Sequence, residues 1–270
     1  MDNSEQPGRD PDSSGDGSAN GNQDGNGQGE SINQQVTASP LSNTTGNWAD
    51  AKGSFTRYAK NTRGANVRKA AKSYVRTFGG ARGATKSASK GVSTGRGLVS
   101  FLGSVSAHGG SFTQTITELG LSNYIGRSPE ETLAKIADTI APIGTTNDEA
   151  IARDAVISTL DQLYSRILEQ EGDITALERL TPDMIKEVVI DYVSNYIFKK
   201  WIYELGLAIE KNAVTEKEAI EMEADMKVFI KAEVNLGLKD RSISEFNLSG
   251  QTNQQLIEEI FQIAYSTLER

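Results

Sequence analysis

The sequence predicts a mostly α-helical protein: a multi-helix body around a central buried helix, preceded by a disordered N-terminal tail. Three observations carry this reading. Four capping signals each open a stretch of helical periodicity, one long segment is apolar on several sides of a helical wheel, and the first 47 residues hold almost no large apolar side chains. Only residues 242–248 read as extended, and no repeat of about 20–50 residues marks a solenoid.

Charge divides the chain into three blocks. Residues 1–47 are a Gly-, Asn- and Ser-rich acidic tail that cannot bury enough surface to offset its chain entropy. Residues 48–127 are a basic, Gly-rich helical region; from Ala51 to Thr117 there are twelve Lys or Arg and no Asp or Glu. Residues 128–270 form an acidic all-helical body, and the 270-residue chain carries a net charge of −8. A purely basic block beside an acidic body must meet an anion, either within the chain or on a partner.

The basic region opens the helical part at Trp48. Val67, Ala71, Tyr74 and Phe78 make one apolar stripe, with Arg68, Lys72 and Arg76 as a row on its flank. After Gly79-Gly80 a second helix carries the row Arg82, Lys86 and Lys90. Like charges four apart destabilise an isolated helix by a few tenths of a kcal/mol per pair, so both rows are expected to settle against something negative. Gly83, Ser87, Gly91 and Gly95 recur every four residues on this helix. Interior glycines cost a helix roughly 1 kcal/mol each, which close packing on a smooth face would offset; a flexible Gly/Ser loop is the alternative.

The body follows, cap by cap. Ser128-Pro129-Glu130-Glu131 supplies an N-cap, a proline at the first helical position and an acid at the third. Thr146-Asn147-Asp148-Glu149 repeats the capping box, and Val156, Leu160, Leu163 and Ile167 continue it as one apolar face. Thr181-Pro182 opens the segment from about Met184 to Lys211, where Val189, Tyr192, Val193, Tyr196, Ile197, Trp201 and Ile202 point to several sides; this is the expected central helix. Thr215-Glu216-Lys217-Glu218 caps the next helix. Ile257, Ile260, Phe261, Ala264 and Leu268 define the last.

Several patterns invite chemistry and fall short of it. Residues 79–87 look like a phosphate loop, but Thr85 stands where that loop needs glycine and a basic helix precedes it instead of a strand. The lone His108 closes a small-residue helix end, where it stabilises terminal carbonyls. With no cysteine and no second histidine there is no thiolate site, and no catalytic, metal-binding or cofactor-binding residue is assigned. Two features stay open. The acids Glu216, Glu218, Glu221, Glu223 and Asp225 are either a solvated face or an internal counter-surface for the basic rows. The aromatics Phe55, Tyr58, Tyr74, Phe78 and Phe101 are either core or platforms for stacking bases.

The tracts Trp48-Ala49-Asp50-Ala51-Lys52, Ala71-Lys72-Ser73-Tyr74-Val75-Arg76, Gly79-Gly80-Ala81-Arg82, Leu133-Ala134-Lys135-Ile136-Ala137-Asp138, Asp148-Glu149-Ala150-Ile151-Ala152-Arg153 and Tyr192-Val193-Ser194-Asn195-Tyr196-Ile197-Phe198 resemble the QatB family of the bacterial QatABCD anti-phage defence system. The resemblance runs from about Trp48 to the C-terminus. It implies a non-enzymatic defence component with three companions: an ATPase (QatA), a QueC-like enzyme (QatC) and a TatD-like nuclease (QatD). The QueC-like protein is the implied direct partner, and by analogy with related systems the N-terminus at Met1 is its modification substrate. A flexible tail suits that delivery, since it reaches a cleft without unfolding the body. The chain departs from the family at its start, where Asp2 follows Met1 in place of the family's glycine; no other methionine precedes Met184.

The expected function is thus a protein–protein interaction component of the cytoplasm, with no membrane association. Partner-binding candidates are Arg57, Arg68, Lys72, Arg76, Arg82, Lys86, Lys90 and Arg96, with Gly83, Ser87, Gly91 and Gly95 as close-packing positions. The alternative is a nucleic-acid-binding module that uses residues 51–97, whose affinity would fall steeply with salt.

Overall fold

The structure is a computed structural model that describes residues 47–60, 65–107, 111–171, 181–210, 215–241 and 252–270. Tail residues 1–46, His108 and the expected extended stretch 242–248 lie outside the described residues. Among the described residues there are ten α-helices, one 3-10 turn and no strand, so the protein is mostly α-helical. No described helix is long and apolar enough to cross a membrane.

The basic region supplies α1 (Trp48–Ala59), α2 (Val67–Thr77), α3 (Ala81–Ser87), α4 (Ser89–Ala107) and α5 (Phe112–Glu118), then the 3-10 turn Ser122–Tyr124. The acidic part supplies α6 (Pro129–Ile140), α7 (Asn147–Glu171), α8 (Pro182–Glu210), α9 (Glu216–Gly237) and α10 (Thr252–Leu268). The described residues fall in one compact unit, and helices from both sides of residue 128 share its core.

The caps sit where the local sequence puts them. Ser128 Oγ accepts from the Glu131 amide at the start of α6, with Pro129 at the first helical position. Thr215 and Glu218 close a reciprocal capping box on α9, and Thr181 Oγ1 accepts from the Met184 amide. The Thr146 hydroxyl and the Glu149 carboxylate do the same for α7.

Helix α8 is the centre. Tyr192, Val193, Tyr196, Ile197, Trp201 and Leu205 are fully buried, and the helix packs against α7, α9, α1 and α4. A helix apolar on several sides finds its minimum only when surrounded. The last helix, α10, packs on α3, α4, α2 and α9 and so ties the basic region to the acidic one.

One sequence expectation is corrected. The second basic helix is two helices, α3 and α4, interrupted at Ala88. The Ala88 amide turns to the Ala84 and Thr85 carbonyls together, and the Ser87 hydroxyl takes the Ala84 carbonyl as well. Side-chain competition for carbonyls in a glycine-weakened stretch ends the first helix there. The turn before it is made by Gly79 and Gly80 at φ 81° and 89°, a conformation that disfavours any side chain.

Candidate functional site

The basic rows divide into cations the chain engages itself, through ion pairs or hydrogen bonds, and cations it leaves exposed. From α2, the Arg68 guanidinium makes a two-pronged ion pair with Glu233 of α9 and lies 5.4 Å over the Phe229 ring. Lys72 Nζ donates to the main-chain oxygen of Arg270 at 3.0 Å. From α4, Lys90 Nζ stands 2.6 Å from the Glu149 carboxylate. On α1, the Arg57 guanidinium donates to Ser54 Oγ at 3.0 Å.

Arg76, Arg82 and Lys86 differ. All three are exposed on the corner made by the end of α2 and by α3, and no ion pair joins any of them to an acid among the described residues. Arg96 is exposed further along α4. The acids Glu216, Glu218, Glu221, Glu223 and Asp225 are all exposed on the first half of α9, and they are not the counter-surface. Glu233 and Glu149 take that role, because they sit on the faces of α9 and α7 that reach the basic helices.

The small residues face rings and a carbonyl. A Cβ at Gly91 would stand 2.5 Å from the Tyr196 ring, and one at Gly95 would stand 2.6 Å from the Tyr192 ring. One at Gly83 would fall 1.7 Å from the Phe78 carbonyl oxygen, so α3 abuts the end of α2. Ser87 Oγ bonds back to its own helix. The Tyr192 hydroxyl donates to the Gly91 carbonyl at 2.6 Å, which fastens α8 to α4.

The basic-region aromatics are not stacking platforms. Phe55, Tyr74 and Phe101 are buried, and Tyr58 and Phe78 are partly buried against the core. Tyr74 lies parallel to Trp201 with centroids 5.4 Å apart.

The sequence reading missed a buried charge network in α8. Lys200, with a side chain only 5% exposed, sits between Asp148 of α7 at 2.8 Å and Glu204 at 3.0 Å. The Tyr74 hydroxyl donates to the same Glu204, so α2, α7 and α8 meet at one lysine. Burial alone would lower the Lys200 pKa; the bonds to Asp148 and Glu204 outweigh it and hold the ammonium above its ordinary value. Burial pushes the Tyr74, Tyr192 and Tyr265 hydroxyls well above the usual phenol value. Asp191, also buried, is held by Arg166 at 2.8 Å and Lys231 at 2.6 Å. The available signal was charge inside an otherwise apolar helix, Asp191 and Lys200 with Glu204 four residues on. At α3 a second unforeseen tie appears, where Glu269, just past the end of α10, accepts from the Ala81 amide at 3.0 Å. It caps a helix whose own N-cap is Gly80 and has no side chain to offer.

Two concavities mark the surface of the described residues. A groove of about 600 Å³ between α7, α8 and α9 is lined by Ile151, Ile157, Phe198, Ile202 and Tyr203. A smaller one of about 390 Å³ surrounds the Lys90–Glu149 pair. There the Glu149 carboxylate accepts from Lys90 and from the Thr145 and Thr146 amides, which together lower its pKa to about 2. Among the described residues no group of three or more His, Asp or Glu is placed to hold a metal ion.

These features define a class, a mostly helical protein whose buried charges tie helices together and which leaves Arg76, Arg82 and Lys86 of its basic rows exposed at one corner. The chain matches the family described as Qat anti-phage system associated protein QatB over residues 79–268, well over half its length. It belongs to the QatB family and is a component of the Qat anti-phage system. No curated protein matches the chain, and no solved structure does.

Proposed function

We propose that this chain serves the Qat system without chemistry of its own, as the binding partner of the QueC-like protein QatC, with its N-terminus at Met1 as the modification substrate. The observation that carries the reading is the corner of Arg76, Arg82 and Lys86. The chain pairs Arg68 and Lys90 from the same two rows with acids, bonds Lys72 to a main-chain oxygen, and leaves these three exposed. Exposed like charges are retained at a cost that a complementary partner removes. The buried charges support the non-enzymatic part of the reading, because Lys200, Asp191 and Glu233 are each tied to a charge on another helix. The ATPase and the TatD-like nuclease complete the set of partners.

The test is co-purification of the full chain with the QueC-like protein, reading intact mass on the recovered chain. A complex that the triple variant R76E/R82E/K86E abolishes, with unchanged helicity, supports the corner as the docking surface. Added mass on the N-terminal peptide supports the modification. A triple variant that still binds QatC overturns the corner. A wild-type chain that ignores QatC but binds duplex DNA, with affinity falling steeply as salt rises, overturns the reading as a whole.

A further inference from the structure

We propose that Glu269 is a positioning residue of the basic corner: it caps α3, fixes the placement of Arg82 beside Arg76 and Lys86, and pairs with none of the three. The inference rests on the reading of that corner as the QatC docking surface, and names a residue outside the basic region on which the corner depends.

The corner is built on a turn with little of its own to hold it. Gly79 and Gly80 both take positive φ, at 81° and 89°. As N-cap, Gly80 offers no side chain to the first amides of α3. A helix start without an acceptor for those amides frays. Glu269, just past the end of α10 and 188 residues from Ala81, supplies the acceptor, with its carboxylate 3.0 Å from the Ala81 amide nitrogen. Gly80 keeps the approach open, since a Cβ there would stand 3.2 Å from both carboxylate oxygens. The acid is itself held in place. Leu268 beside it is buried, and Lys72 of α2 donates to the main-chain oxygen of Arg270 at 3.0 Å. The end of α10 therefore touches α2 and α3 on the two sides of the glycine turn. Buried Ala84 and Ala88 fasten the rest of α3; the cap fixes its first turn, which carries Arg82.

An acid this close to exposed cations ordinarily serves as their counter-ion. Among the described residues no ion pair joins Glu269 to Arg76, Arg82 or Lys86. Its charge faces the positive end of α3 instead, where an anion is stabilised. Cap and charge then act on an acidic partner in opposite directions. The cap favours docking by placing Arg82, whereas the charge opposes it by lowering the local positive potential. Glutamine separates the two, because its side-chain carbonyl still accepts from the Ala81 amide and its charge is gone. Alanine removes both.

The test compares E269Q and E269A in the full chain with two readouts. Hydrogen exchange at the Ala81 amide reads the cap. Loss of a cap corresponds to roughly 2- to 30-fold in a local opening equilibrium. Exchange in E269A is expected to quicken by a factor in that range, while E269Q stays near the wild type. Unchanged exchange in the core of α8 shows that both variants keep the fold. Affinity for QatC reads the docking. E269A is expected to bind roughly threefold or more weakly, although it has lost a repelling charge, and E269Q at least as tightly as the wild type. Charge acting alone would tighten both variants together. Equal QatC affinity of E269A and E269Q therefore overturns the proposal, and so does Ala81 exchange that alanine leaves unchanged. If R76E/R82E/K86E still binds QatC, the corner reading falls and this inference with it. If that triple variant loses QatC while E269A and E269Q bind alike, the corner stands and only the role of Glu269 is overturned.

Discussion

Replacing Gly91 by alanine tests whether the glycines of α4 are there for packing. The new methyl would stand 2.5 Å from the Tyr196 ring edge and 2.6 Å from its phenol carbon, with a third ring carbon at 2.8 Å. These are distances real Cβ atoms do not tolerate, and the ring is fully buried. It is also flanked by Phe261, 5.3 Å away centroid to centroid. Overpacking of this kind costs about 1–3 kcal/mol, while the gain in helix propensity returns up to about 1 kcal/mol. The expected net loss is about 1–2 kcal/mol, or about 2–8 °C in Tm for a body of this size. Gly206 provides the control, because a Cβ there meets only Ile202 Cγ2 at 3.9 Å. The same substitution at Gly206 is expected to stabilise the helix by up to about 1 kcal/mol. Urea unfolding followed by far-UV circular dichroism reads both. If G91A is as stable as the wild type, or moves in the same direction as G206A, the packing account of the stripe is wrong.

Three further outcomes follow from the charge pairs. R68A strands Glu233, which is 5% exposed, and is expected to cost about 1–3 kcal/mol because Arg68 itself is half in water; R68A/E233L should recover most of it in the same unfolding assay. K200M removes the buried ammonium from Asp148 and Glu204, at an expected cost of about 1–3 kcal/mol, since Asp148 is 44% exposed and regains water. The Lys200 pKa is raised above 10.5, so the stability linked to its charge is fully present below that value and lost as pH rises through the folded value. The gap between wild type and K200M should therefore hold constant across neutral pH and narrow only in strong alkali. Glu149, with its pKa lowered from 4.5 to about 2, contributes stability that is present above 4.5 and lost as pH falls towards about 2. Carboxyl-carbon NMR should place its midpoint near 2, and K90A should move it towards 4.5; an unmoved midpoint would deny Lys90 its leading role.

Particular elements show how far local sequence reaches. The caps at Ser128, Thr146, Thr181 and Thr215 involve partners three residues away, and each begins a helix in the structure. The central helix was legible because its apolar residues cover several sides, which only full burial satisfies. The tracts carrying the QatB likeness were legible for the same reason, since they are contiguous. By contrast, the break at Ala88 depends on which carbonyls the Ser87 and Ala88 groups find, a choice among nearly equal local alternatives.

The sequence by itself determined the helical class, the helix starts, the central helix, the segregation of charge and the family. These are written in residues within a turn or two of one another, where covalent geometry fixes who meets whom. Only the tertiary structure decided how that charge is spent. Arg68 and Glu233 are 165 residues apart, and Tyr74 and Glu204 are 130 apart. Their meeting depends on how α2, α8 and α9 pack, which no local spacing encodes. That packing pairs one cation of each basic row, Arg68 and Lys90, with an acid from the body and leaves Arg76, Arg82 and Lys86 to the outside.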